Sequence, residues 1–130
     1  MILVDSSVWI HKLRNRDIEV VRKLDAIDPG QETILVGDLI LMEVLAGARD
    51  EHQAARIERQ MRRFQCVSLL QAPIAGLAAA HYRTLRSLGI TVRTGIDMLI
   101  GTFCLHNGHK LLHDDRDFLH MERHLGLQAL

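Results

Sequence analysis

The chain has little cysteine, little proline, few aromatic side chains and no excess of charge of either sign. Its two cysteines, Cys66 and Cys104, stand among 130 residues. That is too few for the disulfide framework of a small secreted domain and is typical of a reducing compartment. Sixteen basic residues balance sixteen acidic ones, so no global field attracts the chain to nucleic acid or to a membrane. Any polyanion must be held by a local patch or through a metal ion.

Long apolar runs are also missing. The first ten residues, MILVDSSVWI, lack a basic n-region and reach Asp5 after three apolar residues, which argues against a signal peptide. No run approaches the ~18 apolar residues that span a bilayer. We therefore expect a cytoplasmic protein with no membrane association. Because no repeat, low-complexity tract or linker interrupts the pattern, residues 1–130 are expected to form one domain.

Short aliphatic runs alternate with longer helical patterns. Strands are expected at 2–4, 33–36, 66–69 and 110–112 and at the C-terminal LQAL, and helices near 6–14, 17–27, 38–47, 51–63, 73–88, 96–107 and 115–122. Pro73 and Gly89 suit the two ends of the fifth helix. Its apolar stripe is expected to contain Ile74, Leu77, Ala78, His81, Leu85 and Leu88. The alternation predicts an α/β fold in which helices cover both faces of a mostly parallel sheet of four to five strands.

Acidic residues follow two of the predicted strands. Asp5 comes directly after the first strand, and Asp114 and Asp115 follow the KLLH run. Ligands of an open parallel sheet gather outside the carboxyl ends of its strands, so these acids are expected at one edge of the sheet. Each of them could instead cap the helix that follows it.

Two further carboxylates lie in apolar helices. Glu43 is surrounded by the aliphatic residues of DLILMEVLAG and has no Lys or Arg three or four positions away. Asp97 opens the apolar helix TGIDMLIGTFCL, where Arg93 and Thr94 are local alternatives as its partners. Ionised side chains are seldom buried without a partner, because desolvating a charge costs several kcal/mol.

If these four acids meet, electrostatics decides what else is present. Two carboxylates ~5 Å apart repel by roughly 3 kcal/mol at an effective dielectric constant near 20. Such a cluster must take up protons or bind a cation. Oxygen ligands favour Mg²⁺ or Mn²⁺ over zinc, and the chemistry that follows is metal-assisted phosphodiester hydrolysis. A net-neutral nuclease still needs local positive charge for phosphate, and Arg83, Arg86 and Arg93 are candidates for that contact.

The stretches MILVDSSVWI, LILMEVLAG and TGIDMLIGTFCLHNGHKLLHDDRDF resemble successive blocks of the PIN-domain ribonucleases, specifically the VapC toxins of type II toxin–antitoxin systems. The resemblance runs from residue 1 to about residue 120. It implies an endoribonuclease dependent on Mg²⁺ or Mn²⁺, with a three-layer α/β/α fold and usually dimeric. It also implies inhibition by a small VapB antitoxin whose C-terminal segment inserts near the acidic site.

The same resemblance assigns roles by position. The metal-site acids of the family fall on Asp5, Glu43, Asp97 and Asp115. Ser7 matches the Ser or Thr of the opening motif, and Asp117 matches the acid often found just before the Phe. Of the three aspartates in HDDRDF, Asp115 is therefore expected nearest the metal and Asp117 in an auxiliary position, and the third is expected at the surface or in a cap.

Two other classes of protein remain as alternatives. A signalling receiver domain has similar length and Mg²⁺-binding acids, but it needs a phosphoacceptor aspartate after the third strand and a lysine at the end of the fifth. The chain has LQAPIAG after CVSL and ends in LQAL, so neither residue is there. A non-catalytic RNA-binding module would be favoured if one of the key acids were missing, and none is. The sequence thus favours a metal-dependent nuclease.

Overall fold

The computed structural model describes residues 1–130 as a four-stranded sheet with seven helices. The strands are β1 (Ile2–Val4), β2 (Ile34–Gly37), β3 (Gln65–Val67) and β4 (Lys110–Leu112), and the helices are α1 (Ser6–Leu13), α2 (Glu19–Asp25), α3 (Asp38–Ala46), α4 (Glu51–Met61), α5 (Ala72–Ser87), α6 (Gly95–Asn107) and α7 (Arg116–Leu125). This confirms the α/β class, since these elements alternate as expected. None of the helices combines the length and hydrophobicity needed to cross a membrane.

The C-terminal LQAL does not form a fifth strand. Ala129 makes a single parallel bridge to Leu111, in which the Leu111 N–H donates to the Gln128 carbonyl over 2.9 Å and the Leu130 N–H donates to the Leu111 carbonyl over 3.1 Å. Only one residue of β4 thus has a partner on its outer side, and the sheet has four strands.

All four strands are parallel, in the order β3-β2-β1-β4. The chain moves outward from β1 to β2 and β3, and it then crosses back to the far side of β1 for β4. Parallel crossovers are right-handed, so α1–α4 cover one face of the sheet and α5 and α6 cover the other. Helix α7 packs against α5 and α6. The result is the three-layer α/β/α arrangement that the sequence predicted.

The strand order reverses between β1 and β4, which is where ligands bind in open α/β sheets. Apart from the exposed Lys110, both strands consist of buried aliphatic residues. Their carboxyl ends are joined by a hydrogen bond of 2.9 Å from the Asp5 N–H to the Leu112 carbonyl. Residues that follow β1 and β4 therefore emerge side by side. This junction positions the site.

The inner stripe of α5 is narrower than the periodicity predicted. Ile74, Ala78 and Leu85 are buried, but Leu77 and Leu88 are 40% and 55% exposed. The predicted ends are right: the first turn contains Pro73, and Gly89 follows the helix with a φ of 80°, a left-handed conformation that glycine adopts without strain.

Candidate functional site

Asp5 is held at the end of β1 by the first turn of α1. It is the N-cap of that helix, and its Oδ2 atom accepts hydrogen bonds from the Ser7 N–H over 3.1 Å and from the Ser7 hydroxyl over 2.6 Å. The Ser7 hydroxyl oxygen in turn accepts a bond of 3.1 Å from the Asp114 N–H. Ser7 therefore orients the Asp5 carboxylate and joins it to the segment that follows β4. Burial raises the pKa of Asp5, although the bonds from Ser7 oppose that effect.

Glu43 reaches the same region from α3, which packs against α1 on the same face of the sheet. It lies in α3, which begins immediately after β2. Its Oε1 atom is buried and has no hydrogen-bond partner. Burial, followed by the charge of Asp5, raises the pKa of Glu43. An orphaned carboxylate oxygen in a buried position is costly unless a proton or a cation satisfies it.

Asp97 lies in the first turn of α6, where Thr94 is the N-cap and its hydroxyl oxygen accepts a bond of 3.2 Å from the Asp97 N–H. Burial raises the pKa of Asp97 to about 6, and the charges of Asp5 and Asp115 contribute to the rise. Arg93, a possible local partner of Asp97, is paired elsewhere. It precedes the helix, so the spacing of four residues does not place it one turn from Asp97.

Asp115 is fixed through both its side chain and its backbone. It is the N-cap of α7, and its Oδ1 atom accepts a bond of 3.0 Å from the Asp117 N–H. Its own N–H donates to Nδ1 of His113 over 3.2 Å, while Nε2 of His113 lies 2.8 Å from Glu122. A neutral imidazole with its proton on Nε2 satisfies both contacts. His113 thus connects Asp115 to the middle of α7.

Arg93 neutralises part of this acidic group. Its Nε atom donates to Oδ2 of Asp117 over 3.1 Å, and its Nη2 atom donates to Oδ1 of Asp115 over 3.1 Å. Asp117 is buried, whereas Asp114 is exposed and pairs with His11 over 3.0 Å. The three aspartates of HDDRDF therefore have three different environments.

The four predicted metal-site acids meet in one cleft of about 410 Å³. Asp5, Glu43, Asp97 and Asp115 line it, together with Ser6, Ser7, Ile10, Arg93 and Thr94. Asp97, Asp115 and Asp117 can each place a carboxylate oxygen within 4.8 Å of the others. An all-oxygen donor set, an orphaned oxygen on Glu43 and three carboxyl groups of raised pKa fit a hard divalent cation.

Arg83 and Arg86 lie away from this acidic cleft. They line a separate cleft of about 480 Å³ with apolar residues of α5 and α6, and none of the acids described above lines it. Sequence reasoning missed the pairing of Arg93 with Asp115 and Asp117 and the contact between His113 and Glu122. The sequence contains a hint only of the contact between His113 and Glu122, which are nine residues apart on either side of the start of α7. A spacing of nine residues does not by itself predict a contact.

The fold and the acidic cleft are those of a class of protein that comparison with known sequences identifies. The PIN domain family matches residues 2–124, and the chain therefore belongs to that family. It is 32% identical over 130 residues to the VapC ribonuclease Mb1587 of Mycobacterium bovis and to ribonuclease VapC11 of Mycobacterium tuberculosis, covering 99% of this chain and 97% of each relative. Within the PIN family, the chain belongs with the VapC ribonucleases.

Solved structures share the fold at lower identity. VapBC2 of Rickettsia felis, solved bound to a DNA fragment from its promoter, has a TM-score of 0.77 at 16% identity, covering 100% of this chain and 98% of the other. VapC20 of Mycobacterium tuberculosis, described as a toxin that cleaves the sarcin-ricin loop, has a TM-score of 0.69 at 18% identity, covering 92% and 93%. Both likenesses cover at least 92% of this chain and show a shared fold.

Proposed function

We propose that the chain is a metal-dependent endoribonuclease that acts as the toxin of a toxin–antitoxin pair, with residues 1–130 as its single nuclease domain. The observation that carries the proposal is the meeting of Asp5, Glu43, Asp97 and Asp115 in one cleft at the point where the strand order reverses. Family membership with the VapC ribonucleases supports the reaction class. A receiver domain lacks support, because β3 is followed by no phosphoacceptor aspartate.

Each acid has its own proposed role in the site. Asp5, Asp97 and Asp115 are the principal ligands of Mg²⁺ or of Mn²⁺ as its substitute, and Glu43 completes the donor set with its orphaned oxygen. A bound divalent cation polarises a phosphodiester and makes water more acidic. Ser7 keeps the Asp5 carboxylate in place, and Asp117 acts through Arg93, whose guanidinium group also faces the cleft as a candidate contact to RNA phosphate.

The partner that we propose is a small VapB-like antitoxin. Relatives of this fold have been solved as VapBC complexes, from Rickettsia felis and from nontypeable Haemophilus influenzae. An inserted antitoxin segment has a physical reason to bind here, because the cleft is acidic and a cationic side chain relieves the same repulsion that a metal ion does. We also propose that the toxin forms a homodimer.

Chelation tests the metal-dependent reaction. Cleavage of single-stranded RNA by the purified chain is expected to stop in EDTA and to return when Mg²⁺ or Mn²⁺ is added in excess. Asp97→Asn is expected to lower the cleavage rate by at least about a hundredfold, because an amide is a weak ligand for a hard cation. Full cleavage in EDTA would remove the metal from the proposal.

The adjacent aspartates provide a matched control. Asp115→Asn is expected to damage cleavage most, Asp117→Asn less, and Asp114→Asn least, because Asp114 is exposed and does not line the cleft. All three variants lose one negative charge within four positions of the chain, so a general charge effect predicts equal damage. A loss of cleavage in Asp114→Asn with Asp115→Asn still active would reverse the assignment.

A further inference from the structure

A second cleft adjoins the acidic one and has the opposite charge. It has a volume of about 420 Å³ and lies between the loop before α6 and one side of α7, where Arg93, Arg116, Asp117, His120 and Arg123 line it. Arg93 lines both clefts. An RNA strand whose scissile phosphate lies among the acids can therefore extend past Arg93 into the second cleft, beside α7.

The free positive charge of the second cleft lies on one face of α7. Arg116, His120 and Arg123 are four and seven residues apart, a spacing that returns to the same side of an α-helix. Arg116 and Arg123 are exposed and make no ion pair. By contrast, Arg93 is already paired with Asp115 and Asp117. The two arginines are thus available to an external anion, and they span about 10 Å along the helix.

Two other clefts contain more than one basic residue. Lys12, Arg56 and Arg63 line a cavity of about 560 Å³ beside Trp9 and Phe64. The cleft of Arg83 and Arg86 is lined mostly by apolar residues. No acid of the candidate metal site lines either of them. The cleft beside α7, by contrast, shares Arg93 with the acidic cleft.

We propose that Arg116, His120 and Arg123 form a subsite for the backbone phosphates of RNA next to the scissile phosphate. The subsite rests on the proposed ribonuclease function. The acidic cleft repels a polyanion even with one divalent cation bound, because its four carboxyl groups outweigh the charge of Arg93 and the cation together. Two unpaired arginines beside it offset that repulsion and position the strand, without reading its bases.

Binding to an inactive parent tests the subsite directly. The parent is Asp97→Asn, in which cleavage is expected to be too slow to consume the probe during the measurement. The probe is a fluorescein-labelled single-stranded oligouridylate in Mg²⁺, followed by fluorescence anisotropy over a range of KCl concentrations. Adding Arg116→Gln and Arg123→Gln is expected to weaken binding about tenfold or more. The slope of log affinity against log salt is expected to become shallower by about 1.4, since each phosphate contact to a single strand contributes about 0.7.

A matched double variant separates this subsite from a general charge effect. Arg83→Gln with Arg86→Gln removes the same charge from α5, and on the Asp97→Asn parent it is expected to leave both the affinity and the salt slope nearly unchanged. If both double variants weaken binding equally, the effect is one of net charge and the subsite is wrong. If the α5 variant alone weakens binding, the strand follows the other cleft.

Cleavage by the otherwise wild-type chain distinguishes failure of the subsite from failure of the proposed function. Arg116→Gln with Arg123→Gln is expected to raise KM for long RNA about tenfold with little change in kcat. It is expected to leave metal-dependent cleavage of a uridine dinucleotide unchanged, because the single phosphate of that substrate is the scissile one and none is left for the subsite. If the wild-type chain cleaves RNA and the double variant has the same KM, only the subsite is overturned. If the wild-type chain cleaves no RNA with any divalent ion, both proposals fail.

Discussion

At the scale of single residues, two acids of the cleft, Asp5 and Asp115, can cap a helix and bind a metal ion at the same time, although sequence patterns treat these roles as alternatives. Asp5 caps α1 through Oδ2, and Asp115 caps α7 through Oδ1. A carboxylate has two oxygens and about four lone-pair positions, so each side chain can cap a helix and still present its second oxygen to the cleft. Capping therefore favours cation binding, because the side chains of Asp5 and Asp115 are already fixed and lose little rotamer freedom when a cation binds.

The raised pKa of Asp97 gives a prediction about pH and stability. The folded protein holds a proton on Asp97 up to a pKa of about 6, whereas an unfolded chain releases it near 3.8. The contribution of this group to the free energy of unfolding is therefore full below 3.8 and is lost as the pH rises through 6. In EDTA, Asp97→Asn is expected to stabilise the protein more at about pH 8 than at about pH 4.5, by on the order of 1 kcal/mol, since a half-buried carboxyl is partly screened.

Thermal melts of the wild type and Asp97→Asn at both pH values measure this difference. Comparing the two proteins at each pH value cancels the contribution of every titrating group that the substitution leaves unchanged. In saturating Mg²⁺ at about pH 8, the wild type is expected to be more stable than Asp97→Asn, because the wild type binds the ion more tightly and is stabilised more by it. An equal gain at both pH values in EDTA would mean that Asp97 does not titrate as its surroundings indicate.

At the scale of elements, the junction between β2 and α3 sets the position of Glu43. Gly37 ends β2 and is the N-cap residue of α3. A Cβ atom placed on it would lie 2.7 Å from Cγ of Leu69, a fully buried side chain, and closer still to its Cδ1. The Asp38 carboxylate also accepts a bond of 3.0 Å from the Leu69 N–H. The segment after β3 thus packs directly on the start of the helix that contains Glu43.

Gly37→Ala is therefore expected to lower the free energy of unfolding by about 1–3 kcal/mol, the usual cost of overpacking a core. Gly76→Ala is the matched control, because Gly76 lies inside α5 and the position that its new methyl group would take has no neighbouring atom within 4 Å. It is expected to raise stability by up to about 1 kcal/mol, since alanine has the higher helix propensity. Urea denaturation measures both, and a neutral Gly37→Ala would show that Leu69 can move aside.

At the scale of the whole molecule, one face of α5 is an open apolar surface. Leu77 and Leu88 are eleven residues apart, which brings them to nearly the same side of a helix, and both are exposed. Leu70, which precedes α5, is 58% exposed. A second copy of the chain would cover such side chains and so remove their apolar area from water.

The chain is expected to be a homodimer by light scattering at tens of micromolar, and Leu77→Glu with Leu88→Glu is expected to shift it to the monomer. Leu119→Glu is the control, since Leu119 is 49% exposed but lies on α7, away from this face. A monomeric wild type would contradict the prediction, and a dimer that persists in the double variant would place the interface elsewhere.

The sequence by itself determined the elements and the chemical types of the site. Aliphatic runs and turn residues predicted the four strands and seven helices, because hydrophobic period and capping are local properties of the chain. The acids after β1 and β4 could be assigned to one edge, because parallel strands share their direction. The apolar surroundings of Glu43 and Asp97 singled out these two carboxylates, and the family resemblance then assigned them to the metal site.

Only the tertiary structure decided which groups meet, because their partners are distant along the chain. Arg93 pairs with Asp115 and Asp117 rather than with Asp97, and the Oε1 atom of Glu43 is buried without a partner. Helical period predicted Leu77 and Leu88 on the inner stripe of α5, but the exposure of a stripe depends on how far the neighbouring helix extends over it. Contacts of this kind depend on strand order and on helix packing, which no local pattern encodes.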